Sequence, residues 1–123
     1  MDKYRVLIVD DEEELVTTIV ERLDLRGIQA QAAMDGETAL KIIEENPPQV
    51  VVLDVMMPGI GGMEILKRMQ AQNLQIPVIL LTGYGSTEQG VEGMKQGAFD
   101  YLMKPCDLNN LISKIREAAK IYD

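Results

Sequence analysis

Four apolar runs in this chain are each followed directly by polar residues, and these carry groups suited to phosphate or to a hard cation. Asp10 and Asp11 follow Tyr4–Val9, Asp54 closes Val50–Leu53, Thr82 follows Pro77–Leu81, and Lys104 follows Phe99–Met103. Taken singly, each has an ordinary reading: Asp10-Asp11 as a helix cap, Asp54 as a loop cap, Thr82 as a strand-end hydroxyl, Lys104 as a solvated charge. Together, at four separate strand ends, they form a constellation. The chain holds no His, which removes the commonest general base and the commonest zinc ligand. Cys106 has no evident base beside it. A carboxylate can itself be the nucleophile, forming an aspartyl phosphate, and phosphoryl transfer asks mostly for positioning and charge neutralisation. Three converging carboxylates repel unless a cation joins them. Mg²⁺ suits that role, since it takes one or two carboxylates together with phosphate oxygens and waters.

The elements around these residues explain why they would converge. Val50–Leu53 is an unbroken β-branched apolar run, as in a parallel strand buried on both faces, and Pro58-Gly59 turns the chain soon after Asp54. Tyr4–Val9 and Pro77–Leu81 have the same character, while Ile28–Ala33 is a weaker signal that belongs near a sheet edge. Between them lie helical patterns. Leu15, Ile19 and Leu23 recur after the acid run and end at Gly27, and Ala39, Leu40 and Ile43 lie in Glu37–Asn46 before Pro47-Pro48. Met63, Leu66 and Met69 lie in 62–72. A more polar stretch from Thr87 to Gln96 contains Gly90 and Gly93, and internal glycines cost about 1 kcal/mol each against Ala, so this helix is expected to be the least rigid. Asp107 can cap a final helix that packs Leu108, Leu111, Ile112 and Ile115.

Strand and helix thus alternate five times, which predicts an α/β fold: one domain over residues 1–123 with a doubly wound five-stranded parallel sheet and five helices. The expected strand order is 2-1-3-4-5, the flavodoxin-like or CheY-like arrangement, in which ligands lie at the carboxyl ends of the strands. A length of 123 residues suits one core, and 46% apolar with 26% charged residues is ordinary for a soluble protein. The 12 Lys and Arg against 20 Asp and Glu leave a net charge of −8, which argues against direct nucleic-acid binding. No apolar run reaches the ~20 residues of a membrane span and no signal peptide opens the chain, so no membrane association is expected. The single Cys106 cannot form an internal disulfide, and a cytoplasmic location follows as the default.

The segments VLIVDDE (Val6–Glu12), DVMMPGIGG (Asp54–Gly62), VILLTGYGS (Val78–Ser86) and GAFDYLMKP (Gly97–Pro105) make the chain resemble, over essentially its whole length, the receiver domain of a bacterial two-component response regulator. The resemblance implies that Asp54 accepts a phosphoryl group from a sensor histidine kinase or phosphotransfer protein. It implies that Asp10, Asp11 and Asp54 hold Mg²⁺ with the backbone carbonyl of Met56, and that Lys104 contacts the phosphoryl group beside Thr82. Lys104-Pro105 is then expected to be a cis peptide. The resemblance also implies a switch: Thr82 moves toward the phosphoryl oxygens, Tyr101 rotates inward, and the surface of the fourth helix, fifth strand and fifth helix changes. That surface would control an output domain or protein partner outside this chain, or form a phosphorylation-dependent homodimer. Such a domain is not an enzyme in the usual sense, though it catalyses formation and hydrolysis of its own aspartyl phosphate. The wording TGYGS with GAFDYLMKP is similar to receivers of AAA+ transcriptional activators and to stand-alone receivers, so a role in transcription regulation is one expectation. No output domain is expected within the chain, which ends with its last helix.

Three departures qualify that resemblance. Gly61 stands where many relatives carry Asp, which predicts a more flexible loop after Pro58, and Cys106 follows Lys-Pro where Phe is frequent. Met56 and Tyr84 occupy the positions that tune dephosphorylation, and neither is acidic or an amide, so a longer phosphoryl lifetime is expected. Other readings fit less well. A haloacid-dehalogenase-type phosphatase needs Asp-x-Asp after the first strand, where Asp10-Asp11-Glu12 stands, and a dinucleotide binder needs a Gly-rich turn there. A phosphorylation-independent scaffold would have no use for clustered acids.

Overall fold

The computed structural model describes residues 5–83 and 86–120, with the side chain of residue 120 excepted. Its elements run β1 (Arg5–Val9), α1 (Glu13–Leu25), β2 (Gln29–Ala33), α2 (Gly36–Glu45), β3 (Val50–Asp54), α3 (Gly62–Ala71), β4 (Val78–Thr82), α4 (Thr87–Lys95), β5 (Asp100–Met103) and α5 (Leu108–Lys120). The sheet is parallel throughout with strand order 2-1-3-4-5, which puts the sparsely apolar β2 at an edge and β3 at the centre. Every residue of β3 is buried.

Side chains along the central strands alternate between two cores, as the two-residue period of a strand requires. Val6, Ile8, Val50, Val52, Ile79 and Leu81 face one way and pack with Val16, Ile19 and Leu23 of α1 and with Leu111, Ile112 and Ile115 of α5. Leu7, Val9, Val51, Leu53, Val78 and Leu80 face the other way, against Ala39, Leu40 and Ile43 of α2 and Ile65, Leu66 and Met69 of α3. Burying each such side chain contributes about 1.5–3 kcal/mol. A core of this size can carry some unfavourable charge at one end of the sheet.

Element ends follow local chemistry and explain the small differences from the expected boundaries. Asp35 is the N-cap of α2: its Oδ1 accepts from the Thr38 N–H at 2.8 Å and its Oδ2 from the Thr38 hydroxyl at 2.9 Å. The helix accordingly starts at Gly36. Pro77 offers only its carbonyl to the ladder, accepting from Val51 N–H at 3.0 Å, and β4 begins one residue later. Tyr4, expected to open the first strand, lies outside the described residues.

The two glycines of α4 also have a packing role. A Cβ at Gly90 would overlap the Tyr101 ring, and one at Gly93 would overlap the Leu80 side chain. Their absent side chains let α4 sit directly on β4 and β5. The intrinsic helix cost of each glycine is therefore offset by packing that Ala could not make. Gly61 is similar: a Cβ there would stand 3.0 Å from the Val55 carbonyl oxygen, so it answers a close backbone approach.

Candidate functional site

Register sets the site. Val9 pairs with Leu53, Asp54 with Leu81 and Thr82 with Met103, so the residues that end β1, β3, β4 and β5 all open on the carboxyl edge of the sheet. Among the described residues the buried polar or charged side chains are Asp10 (0% exposed), Asp54 (2%), Thr82 (0%) and Lys104 (7%). All four were singled out from the sequence, and all four lie at this edge. Asp11 stands beside them, exposed. Asp11, Glu12, Asp54, Met56, Gly83 and Lys104 line a cleft of about 530 Å³.

Lys104 ties the acids together. Its Nζ lies 2.9 Å from Asp10 Oδ2, 3.3 Å from Asp54 Oδ2 and 2.5 Å from Glu12 Oε1. Glu12 was missed as a site residue, because its place in an acid run that opens a helix gave it a sufficient reason to be there. Only the fold brings it to Lys104. The Lys104 N–H donates to the Thr82 carbonyl at 3.1 Å, and the Lys104-Pro105 peptide is cis.

The carboxylates are fixed by short loops. Asp10 Oδ1 accepts from Glu12 N–H at 3.0 Å, and Asp54 Oδ1 accepts from Met56 N–H at 3.1 Å. Gly62, at the start of α3, lies against the Asp54 carbonyl so closely that any Cβ would overlap it. The loop from Pro58 is thereby folded back on the residue that ends β3. Thr82 is buried alongside, and its hydroxyl reaches only weakly toward the Leu102 carbonyl at 3.5 Å. The Tyr101 ring is half-buried against Gly90. Tyr84 lies outside the described residues.

This crowding perturbs the titrating groups. Burial pushes the Asp54 carboxyl up to about 6 and the Asp10 charge adds to the rise, while Lys104 and the Met56 N–H work against it. For Lys104 burial favours the neutral amine. The close approach of Asp10, Glu12 and Asp54 overrules that and holds it above the ordinary lysine range. One ammonium for this many acids leaves the cleft short of positive charge.

A divalent ion fits that deficit. One carboxylate oxygen from each of Asp10, Asp11 and Asp54 lies within 4.8 Å of the others. Mg²⁺–oxygen distances of about 2.0–2.1 Å place ligand oxygens within about 4.2 Å of one another, so a small closing movement would suffice. Asp10 Oδ2 is buried, with the Lys104 ammonium 2.9 Å away as its charged neighbour in a cleft where acids outnumber it. Such an oxygen is the kind a cation completes.

A five-stranded doubly wound sheet with acids, a hydroxyl and a lysine converging on its carboxyl edge is the arrangement of a phosphoacceptor signalling domain. The chain belongs to the response regulator receiver domain family, whose profile matches residues 6–116. It is a receiver domain of the two-component response regulator type. It is 38% identical over 117 residues to the regulatory protein AtoC of Escherichia coli (strain K12), a match covering 95% of this chain and 25% of that protein. Against the response regulator MprA of Mycobacterium sp. (strain KMS) the identity is 37% over 112 residues, covering 91% and 49%. Among solved structures, the receiver domain of the Francisella response regulator 1452 matches with a TM-score of 0.94 at 36% identity, covering 98% of this chain and 100% of that one. The chain thus spans between a quarter and half of the length of these two curated relatives. Receiver domains generally bind Mg²⁺ at an acidic pocket and interact with histidine kinases and output domains. No described helix is long and apolar enough to cross a membrane.

Proposed function

We propose that Asp54 is the phosphoacceptor of this receiver domain and that its phosphorylation switches the surface of α4, β5 and α5. The observation that carries this reading is the placement of Asp54. It is a buried carboxylate at the end of the central strand, facing the cleft, with Asp10 on one side and the Lys104 ammonium 3.3 Å away. An Asp54 oxygen attacks phosphorus, the P–N bond of a kinase phosphohistidine breaks, and the departing imidazole nitrogen takes up a proton. Lys104 neutralises charge on one phosphoryl oxygen, and the Thr82 hydroxyl turns from Leu102 to another. Asp10, Asp11 and Asp54, with the Met56 carbonyl, would hold Mg²⁺. When bound, the ion supplies the positive charge that one lysine cannot.

The phosphoryl group adds about −1.5 to −2 charge. Movement of Thr82 toward it removes a neighbour of Leu102 in β5, which couples the site to Tyr101 and to the α4 face on which its ring rests. The kinase, and an output domain or partner beyond this chain, would read that surface, and a homodimer is one form the reading could take. The absence of an acid or amide at Met56 supports a long-lived phosphoryl group. Intact-mass analysis with acetyl phosphate, with and without Mg²⁺ and beside Asp54→Asn, tests the assignment. A Mg²⁺-dependent phosphoryl adduct absent from the variant is expected. A folded protein that binds Mg²⁺ and forms no adduct would instead be a phosphorylation-independent scaffold.

A further inference from the structure

The Gly83 N–H, directly after Thr82 and on the wall of the cleft, is already occupied. It donates to Gln89 Oε1 at 2.6 Å, so a side chain from the first turn of α4 reaches back across the β4–α4 loop to the edge of the site. The spacing Ser86-x-x-Gln89 is that of a capping box, in which the side chain three residues into the helix returns to the N–H of the N-cap residue. Half of that box is present: Ser86 caps α4, its Oγ accepting from Gln89 N–H at 3.4 Å. The return arm is diverted. The Ser86 N–H donates to the Gly83 carbonyl at 3.0 Å, and the Gln89 carboxamide takes the Gly83 N–H instead. A Cβ at Gly83 would meet Gln89 Oε1 at 3.4 Å, so the carboxamide lies close against this residue.

We propose that Gln89 is a positioning residue that gates phosphorylation by holding the Gly83 amide until a phosphoryl oxygen displaces it. This rests on the assignment of Asp54 as phosphoacceptor. Gly83 lines the cleft one residue past Thr82, and a backbone N–H at such a position is a donor for a developing phosphoryl charge. In the unphosphorylated protein Gln89 Oε1 holds that N–H, which a phosphoryl oxygen would have to take from it. Once displaced, the carboxamide can take the Ser86 N–H, three residues earlier, from the Gly83 carbonyl, and closing that bond completes the capping box. The site and the first turn of α4 then exchange hydrogen bonds, which links phosphorylation to the helix that carries the changing surface.

The test compares wild type, Gln89→Ala and Ser86→Ala by two readouts: the rate of adduct formation with acetyl phosphate and Mg²⁺, and hydrogen exchange of the Gly83 amide without phosphodonor. Gln89→Ala should speed adduct formation roughly two- to tenfold, the range of one hydrogen bond, and should deprotect the Gly83 amide. Ser86→Ala weakens the same helix end without freeing Gly83 and should leave the rate unchanged. An adduct formed at the wild-type rate in Gln89→Ala, equal Gly83 exchange in the two proteins, or the same acceleration in Ser86→Ala would each overturn the gate while leaving the phosphoacceptor assignment standing. No adduct in wild type would overturn both.

Discussion

The two edges of the sheet are ends of the same strands and are built on opposite principles. At the carboxyl edge the chain buries charge: Asp10, Asp54 and Lys104 lie under the surface, with acids in excess. At the amino edge Arg5 stays at the surface and spends its guanidinium on neutral oxygens at the end of α2, donating to the Pro47 carbonyl at 2.6 Å and to Asn46 Oδ1 at 3.1 Å. One edge is held against electrostatic repulsion and responds to any cation or anion that changes it. The other is satisfied as it stands. The core supplies the stability that lets one edge be unfavourable, and the difference locates function without reference to any relative.

The sharpest way to break this contrast is to remove the single cation of the crowded edge. Lys104→Met leaves buried carboxylates with no partner, and breaking a buried ion pair from one side costs about 3–5 kcal/mol. Urea unfolding at pH 8 with EDTA should show a loss of that order, and Mg²⁺ should recover part of it. The loss should be smaller at pH 5, where Asp54 takes up a proton instead. A change below about 1 kcal/mol at pH 8 would mean the acids do not depend on Lys104.

Removing an acid should act in the opposite direction. Asp54 titrates near 6 in the fold against an ordinary 3.8, so between these values the folded protein holds a proton that the unfolded chain has released. Stability from this group therefore falls as pH rises from about 4 to about 6. Asp54→Asn does not titrate. It should be more stable than wild type without metal by about 1–3 kcal/mol above pH 6, with the gap closing toward pH 4. Paired urea curves across that range check the sign, and a variant less stable than wild type at pH 7 would show that Asp54 is not under repulsion.

What the sequence made legible follows the same division. Asp10, Asp54, Thr82 and Lys104 could be found because each interrupts or ends an apolar run, and strand ends in a parallel sheet share an edge by topology alone. Glu12 could not, since an acid at the N-terminus of a helix already has a sufficient local reason, and its contact with Lys104 spans most of the chain. Gln89 left a signal in the Ser86-x-x-Gln89 spacing, but that spacing points to the Ser86 amide and not to Gly83. The packing role of the α4 glycines was not legible. A glycine says only that no side chain is present; that the Tyr101 ring and Leu80 fill the space is a property of the packed pair.

The smallest expected effect lies at the quiet edge. Arg5→Ala removes surface hydrogen bonds to carbonyls that water can replace, so it should cost no more than about 1 kcal/mol. It should leave both Mg²⁺ affinity and the rate of adduct formation at their wild-type values. That near-silence is informative because Arg5 opens β1, the strand whose far end carries Asp10. If the five residues of β1 transmit strain from one edge to the other, the acid cleft will register the loss. If the buried strand merely holds Asp10 in place, isothermal titration with Mg²⁺ and the acetyl phosphate time course will both match wild type, and the division between a poised edge and a satisfied one stands.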